Sequence, residues 1–85
     1  MARPISSNIE RMADNQLVVT DGGKKIFMSY NSIIAVKENG VITLDEKYWN
    51  YSGTTSKYRN KFLGENIEAT RKKIADGTYK LADLN

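Results

Sequence analysis

Residues 48–64 read YWNYSGTTSKYRNKFLG and gather most of the side chains in this chain that are suited to binding. Thr54, Thr55 and Ser56 stand in a row just before Lys57, with Arg59 and Lys61 following. Hydroxyls, a cation and the free N–H groups of a helix start together suit an anion such as a phosphate. One hydroxyl, with Thr55 the first choice, also serves as the helix N-cap by accepting a bond from a free N–H. The order GTTSK is not a P-loop, because G-x-x-x-x-G-K-[ST] occurs nowhere in the chain. Trp49 and Tyr51 fall on one side of an extended segment. They are either a stacking platform for a partner or part of the core, and a largely buried Trp49 is the expectation. Helical geometry sets Arg59 beside Phe62 and Leu63, and Arg71 beside Ile67 and Ala75. Each arginine then either lays its stem on the apolar face and keeps its guanidinium wet, or is held as a fixed fork that reads a carboxylate or phosphate. With Lys72 and Lys73, the residues Thr54, Thr55, Ser56, Lys57, Arg59, Lys61 and Arg71 make up the candidate partner-binding set.

Composition removes most catalytic chemistry. The 85 residues contain no cysteine and no histidine. Thiolate nucleophiles, imidazole bases and closed zinc sites are therefore excluded. Asp45 and Glu46 are adjacent, so on a strand they point apart, which suits paired-carboxylate chemistry poorly. No enzyme activity, catalytic residue, metal or cofactor is expected. No run approaches eighteen apolar residues, so no membrane-spanning helix is expected. MARPISSNIER lacks the apolar core of a signal peptide, which makes the cytoplasm the default compartment.

Charge is unevenly placed. Residues 1–50 carry six cations and six acids, whereas 51–80 carry seven cations (Lys57, Arg59, Lys61, Arg71, Lys72, Lys73, Lys80) against Glu65, Glu68 and Asp76. A basic C-terminal half either meets an acidic partner or is a solvated pair of helices.

The elements that must position these groups follow from pattern. A chain this short makes one domain, residues 1–85. Residues 1–14 read either as an irregular arm or as a short helix capped by Ser7 or Asn8. QLVVT, KKIFMSYNSIIAV and VITLD predict strands at 16–20, 25–36 and 41–45, joined by turns at DGG and KENG. A bend or bulge is expected near Asn31–Ser32. The alternation puts Ile26, Met28 and Tyr30 on one side of the long strand and Phe27, Ser29 and Asn31 on the other, taken as the exposed sheet face. Two helices are predicted within 55–77. The first ends at Gly64; the second is capped by Asn66 and ends at Gly77. The expected fold is α+β: a three-stranded antiparallel β-meander followed by two short helices packed on one sheet face.

The stretch SYNSIIAVKENGVITLDEKYWNYSGTTSKYRNKFLG resembles a family of small, largely uncharacterised bacteriophage proteins that share a SYN strand, an LDE.YW.YS segment and TTSK(Y/H) before a helix. The resemblance spans roughly residues 28–64 and implies phage origin; it brings no activity and no catalytic residues. It also implies the commonest role of small phage proteins, which is to bind a host macromolecule. The expected function is a protein that binds and inhibits or redirects a host factor in the host cytoplasm, for example as an anti-defence inhibitor. The alternative is a small nucleic-acid-binding accessory protein that uses the basic helical side, with Trp49 and Tyr51 as stacking groups. A host protein is the first-choice partner, nucleic acid the second. No membrane partner is expected, and a homo-oligomer is left open.

Overall fold

The computed structural model describes residues 7–85. Its strands are β1 (Ser7–Ala13), β2 (Gln16–Asp21), β3 (Lys24–Ser29), β4 (Ser32–Glu38), β5 (Val41–Asp45) and β6 (Lys80–Ala82). Its helices are α1 (Gly53–Leu63) and α2 (Ile67–Ala75), both between β5 and β6. All six strands form one sheet in the order β1-β2-β3-β4-β5-β6. The first five pair antiparallel and β6 runs parallel to β5. The parallel pair needs a long crossover, and the two helices supply it.

This corrects the expected three-stranded meander to a six-stranded mixed sheet, and three local causes account for the difference. The segment 25–36 is two strands. Ser29 pairs with Ser32, leaving Tyr30 (φ 51°) and Asn31 (φ 68°) as a two-residue loop. Positive φ at both central residues is the requirement of a type I′ turn, whose twist matches that of the strands. Asn39 (φ 55°) and Gly40 (φ 76°) make the same turn between β4 and β5, there with the favoured Asn-Gly pair. A tyrosine at positive φ is uncommon, so SYNS carries no such signal.

Residues 7–13 are strand rather than arm or helical turn; residues 1–6 of the expected arm lie outside the described residues. A register shift between Arg11 and Ala13 breaks the strict alternation of β1 and hides it in the sequence. β6 has only three residues, and its partner β5 is far away along the chain.

Register sorts the side chains onto two faces. Val18, Phe27, Ala35, Ile42 and Leu44 lie on the face that the helices cover. The ladder jumps from Phe27↔Ala35 to Met28↔Ile33, so Ile34 is the extra residue of a bulge. Ile34 and Ala35 are consequently both fully buried. Phe62 of α1 stacks on Phe27 with ring centroids 5.7 Å apart, and Tyr79 closes the core beyond α2. Lys37 spans the seam by donating to the Phe62 carbonyl at 2.6 Å, with its ammonium 4.5 Å from the Phe62 ring centroid. Burial, and next the nearby Lys25 charge, pull its pKa below the usual lysine value.

The opposite face carries Ile9, Leu17, Val19, Ile26, Met28, Ile33 and Val36. The assignment of the Phe27 and Ser29 side as the exposed one is therefore inverted: both residues are fully buried under α1. Polar pairing at that seam drew Ser29 inward, because its hydroxyl bonds the Thr55 hydroxyl at 2.8 Å.

Candidate functional site

β5 ends at Asp45, whose carboxylate shapes the next turn. It accepts from the backbone N–H groups of Lys47 (3.1 Å), Tyr48 (2.8 Å) and Leu84 (2.8 Å). Burial pushes its pKa up, but these backbone donors outweigh burial and hold the group below the ordinary carboxylate value. The turn delivers Tyr48 and Trp49 to the helix side, where both pack on the core cluster. Trp49 keeps only partial exposure, in line with the expected burial, and lies at the border of the core with cations beside it.

The helix start is Ser52, not Thr55. Ser52 keeps an extended backbone (φ −155°, ψ 169°), and its hydroxyl accepts from the Thr55 N–H at 3.2 Å. This geometry defines an N-cap. Thr55 is already inside the helix, and its hydroxyl is fully buried against Ser29. Ser56 is half-buried and accepts from Arg59 Nη2 at 3.0 Å, while Thr54 alone of the three is exposed. The three hydroxyls do not converge on one ligand.

Arg59 is the centre of the arrangement. Its residue is fully buried. Nη1 donates to the Trp49 carbonyl (2.8 Å) and Asn50 Oδ1 (3.3 Å). Nη2 donates to Ser56 Oγ (3.0 Å) and Asn60 Oδ1 (2.9 Å). Every one of these acceptors is neutral. The guanidinium is thus a fixed fork, and it reads its own chain. Arg71, exposed on α2, brings a second guanidinium to the same tryptophan: the two lie 5.3 and 5.4 Å from the Trp49 ring centroid. Burial, and after it the Arg71 charge, pull the Arg59 pKa down, with Glu65 opposing.

Glu65 has its own partners. Its carboxylate accepts from Thr70 Oγ1 (2.7 Å), Lys73 Nζ (2.6 Å) and Tyr79 Oη (2.8 Å). Burial raises its pKa, and the Lys73, Thr70 and Tyr79 donors lower it further than burial raises it. Lys73 is therefore committed to an ion pair within the fold. Lys72 is exposed. Lys57 and Lys61, also exposed, both hold their ammoniums over the Tyr58 ring at 5.4 and 5.1 Å. The second helix starts as expected, with Asn66 accepting from Ala69 N–H at 2.9 Å, and α1 ends at a left-handed Gly64. Ala75, expected on the inner face of α2, is exposed.

The fold thus joins Arg59 to Arg71 through Trp49, and Lys57 to Lys61 through Tyr58. It buries Thr55 and pairs Lys73 with Glu65. Asn50, Ser52 and Asn60, which hold the arginine fork and the helix start, were not singled out from the sequence; the S-x-x-T spacing of Ser52 and Thr55 was the available signal. A shallow cleft lies elsewhere, lined by Asp45, Glu46, Lys47, Tyr48, Asp83 and Asn85. Among the described residues no group of three or more acidic, histidine or cysteine side chains is placed to hold a metal ion. Among the same residues no helix is long and apolar enough to cross a membrane.

A family model of unknown function, DUF8033, matches residues 2–77. The chain belongs to the DUF8033 family. The match takes in β1 to β5 and both helices, and so the whole basic surface. No curated protein and no solved structure matches the chain.

Proposed function

We propose that this DUF8033 protein is a non-enzymatic binding protein that sets its basic helical side on an acidic surface of a host macromolecule, most simply a host protein in the host cytoplasm, and inhibits or redirects it. The carrying observation is the Arg59–Trp49–Arg71 arrangement. Two guanidiniums share one indole, all the hydrogen-bond acceptors of Arg59 are neutral, and the nearest influential acid, Glu65, is taken by Lys73, Thr70 and Tyr79. Positive charge is left uncompensated inside the fold, and an acidic partner surface supplies the missing counter-charge. Lys57, Lys61 and Lys72 extend the same field outward. Phage origin, implied by the SYN–LDE–TTSK resemblance, makes a host factor the natural partner.

The nucleic-acid reading comes second. Base stacking needs a free aromatic face, and Trp49 already has two guanidiniums against its ring, which leaves the exposed Tyr51 as the main platform. A pull-down from host lysate, with and without nuclease, separates the two. Nuclease-resistant capture of one protein, slowed by Arg71→Glu and by Lys57→Glu/Lys61→Glu, is the expected result. Binding to random DNA that falls steeply with salt would replace it with the nucleic-acid reading. Unchanged binding by both folded variants would reject the basic side altogether.

A further inference from the structure

The second face of the sheet carries a separate inference. Across the strands, Ile9, Val19, Ile26 and Val36 stand in one cross-strand row, and Leu17, Met28 and Ile33 in the next. Neither row belongs to the core cluster, which lies on the helix side. All seven side chains keep some exposure; Ile9 is 65% exposed. A contiguous apolar face bordered by charge is the mark of an interaction site.

We propose that this face is a self-association surface, covered by the same face of a second copy of the chain in a two-fold sandwich. Charge argues for a copy rather than another partner. The chain carries +3 overall, yet the charged residues in register with the open face are Arg11, Lys24 and Lys80 against Asp21, Glu38 and the buried Asp45, net zero. The cations Lys57, Lys61, Arg71 and Lys72 lie on the helices, on the other side of the sheet. A two-fold interface must be complementary to itself, and a neutral face meets that condition where a basic one repels its copy.

Register makes the fit specific. A two-fold axis running along the strands between β2 and β3 lays Val19 over the second copy's Ile26 and Leu17 over its Met28. The same rotation lays Asp21 over Lys24, and each contact occurs twice. Five strands about 4.8 Å apart and roughly six residues long at about 3.3 Å each make a face near 24 × 20 Å, roughly 480 Å² in flat projection. Accessible area on a pleated face exceeds its projection, which brings it toward the roughly 600–1,000 Å² per partner of stable interfaces. Sheets packed this way sit about 10 Å apart with aligned strands.

Sedimentation equilibrium on the full chain tests this. The expected species at tens of micromolar is twice the 9.6 kDa chain mass. Ile26→Lys puts an ammonium into the centre of the face and should weaken association at least about tenfold, with an unchanged far-UV spectrum. Should Ile26→Lys fail to fold, Val36→Glu probes the same row. Lys57→Glu/Lys61→Glu, on the helix side, should leave the dimer intact. A wild-type chain that stays monomeric up to about 1 mM, the affinity scale of a bare few kcal/mol, overturns the proposal and leaves the face to a different protein. A dimer that survives Ile26→Lys, or one broken only by the helix-side variant, overturns it as well.

Discussion

Replacing Arg59 with alanine should cost about 3 kcal/mol of folding stability. Four hydrogen bonds from a charged donor, at about 1.5–3 kcal/mol each, would sum to roughly 6–12 kcal/mol. That sum overstates the loss. Asn50 is exposed, and Ser56 and Asn60 are half-buried, so their oxygens regain water in the variant. Removing a buried cation that lacks a carboxylate partner, beside a second guanidinium, also returns part of the desolvation cost. What remains is the stranded Trp49 carbonyl, the lost contact with the indole and the space left by a fully buried side chain. These account for about 3 kcal/mol together. For 85 residues the whole stability is about 4–13 kcal/mol, so the variant should lose between about a quarter and three quarters of it. Arg59→Lys keeps the charge but cannot span four acceptors, and should lose about 2 kcal/mol. Urea unfolding followed by the single tryptophan reads both, since Trp49 touches the mutated group. A loss below about 1 kcal/mol for Arg59→Ala would refute a buried fork that organises the helix start.

Ser52→Ala should lower stability by about 1 kcal/mol while Thr54→Ala changes it by less than about 0.5, which chemical denaturation of both variants checks. Glu65 has its folded pKa held below the ordinary value of 4.5. Its contribution is therefore complete at neutral pH and disappears as pH falls below 4.5 through the depressed value; Glu65→Gln should narrow the gap between urea midpoints at pH 7 and pH 3. Tyr30→Asn should raise stability by about 0.5–1 kcal/mol, measured as a higher thermal midpoint, because asparagine accepts the positive φ of this turn more readily than tyrosine does.

The strands and caps that were legible in the sequence are those whose signals are local. VITLD between Asn39–Gly40 and Asp45, the glycine that ends α1 and the asparagine that opens α2 all act within a few residues of themselves. What escaped depends on distant partners or disguised geometry. β1 loses its period at the Met12 irregularity, and SYNS hides a turn because a tyrosine occupies a position that favours asparagine or glycine. β6 is visible only once Thr43, Leu44 and Asp45 are beside it. Reading 25–36 without that turn also exchanges the two sheet faces and sets Phe27 and Ser29 on the exposed side. The basic side was legible as charge. Its internal order was not, because Trp49, Asn50 and Arg59 meet only when the turn after β5 folds back against α1.

The parallel strand at the sheet edge sets the sequence of events in folding. Every pairing from β1 to β5 joins neighbours across a two-residue loop, so these hairpins assemble from local encounters on the microsecond scale. β6 is different: Lys80 lies 37 residues beyond its partner Thr43. Closing that loop costs about 3 kcal/mol in chain entropy, before the Glu46 N–H can bond Ala82 and the Asn85 side chain can bond both backbone groups of Ile33. Until closure, the core cluster lacks its Tyr79. The rate at which the chain becomes native is then governed by its last strand, and mutations in β6 should slow folding more than they speed unfolding.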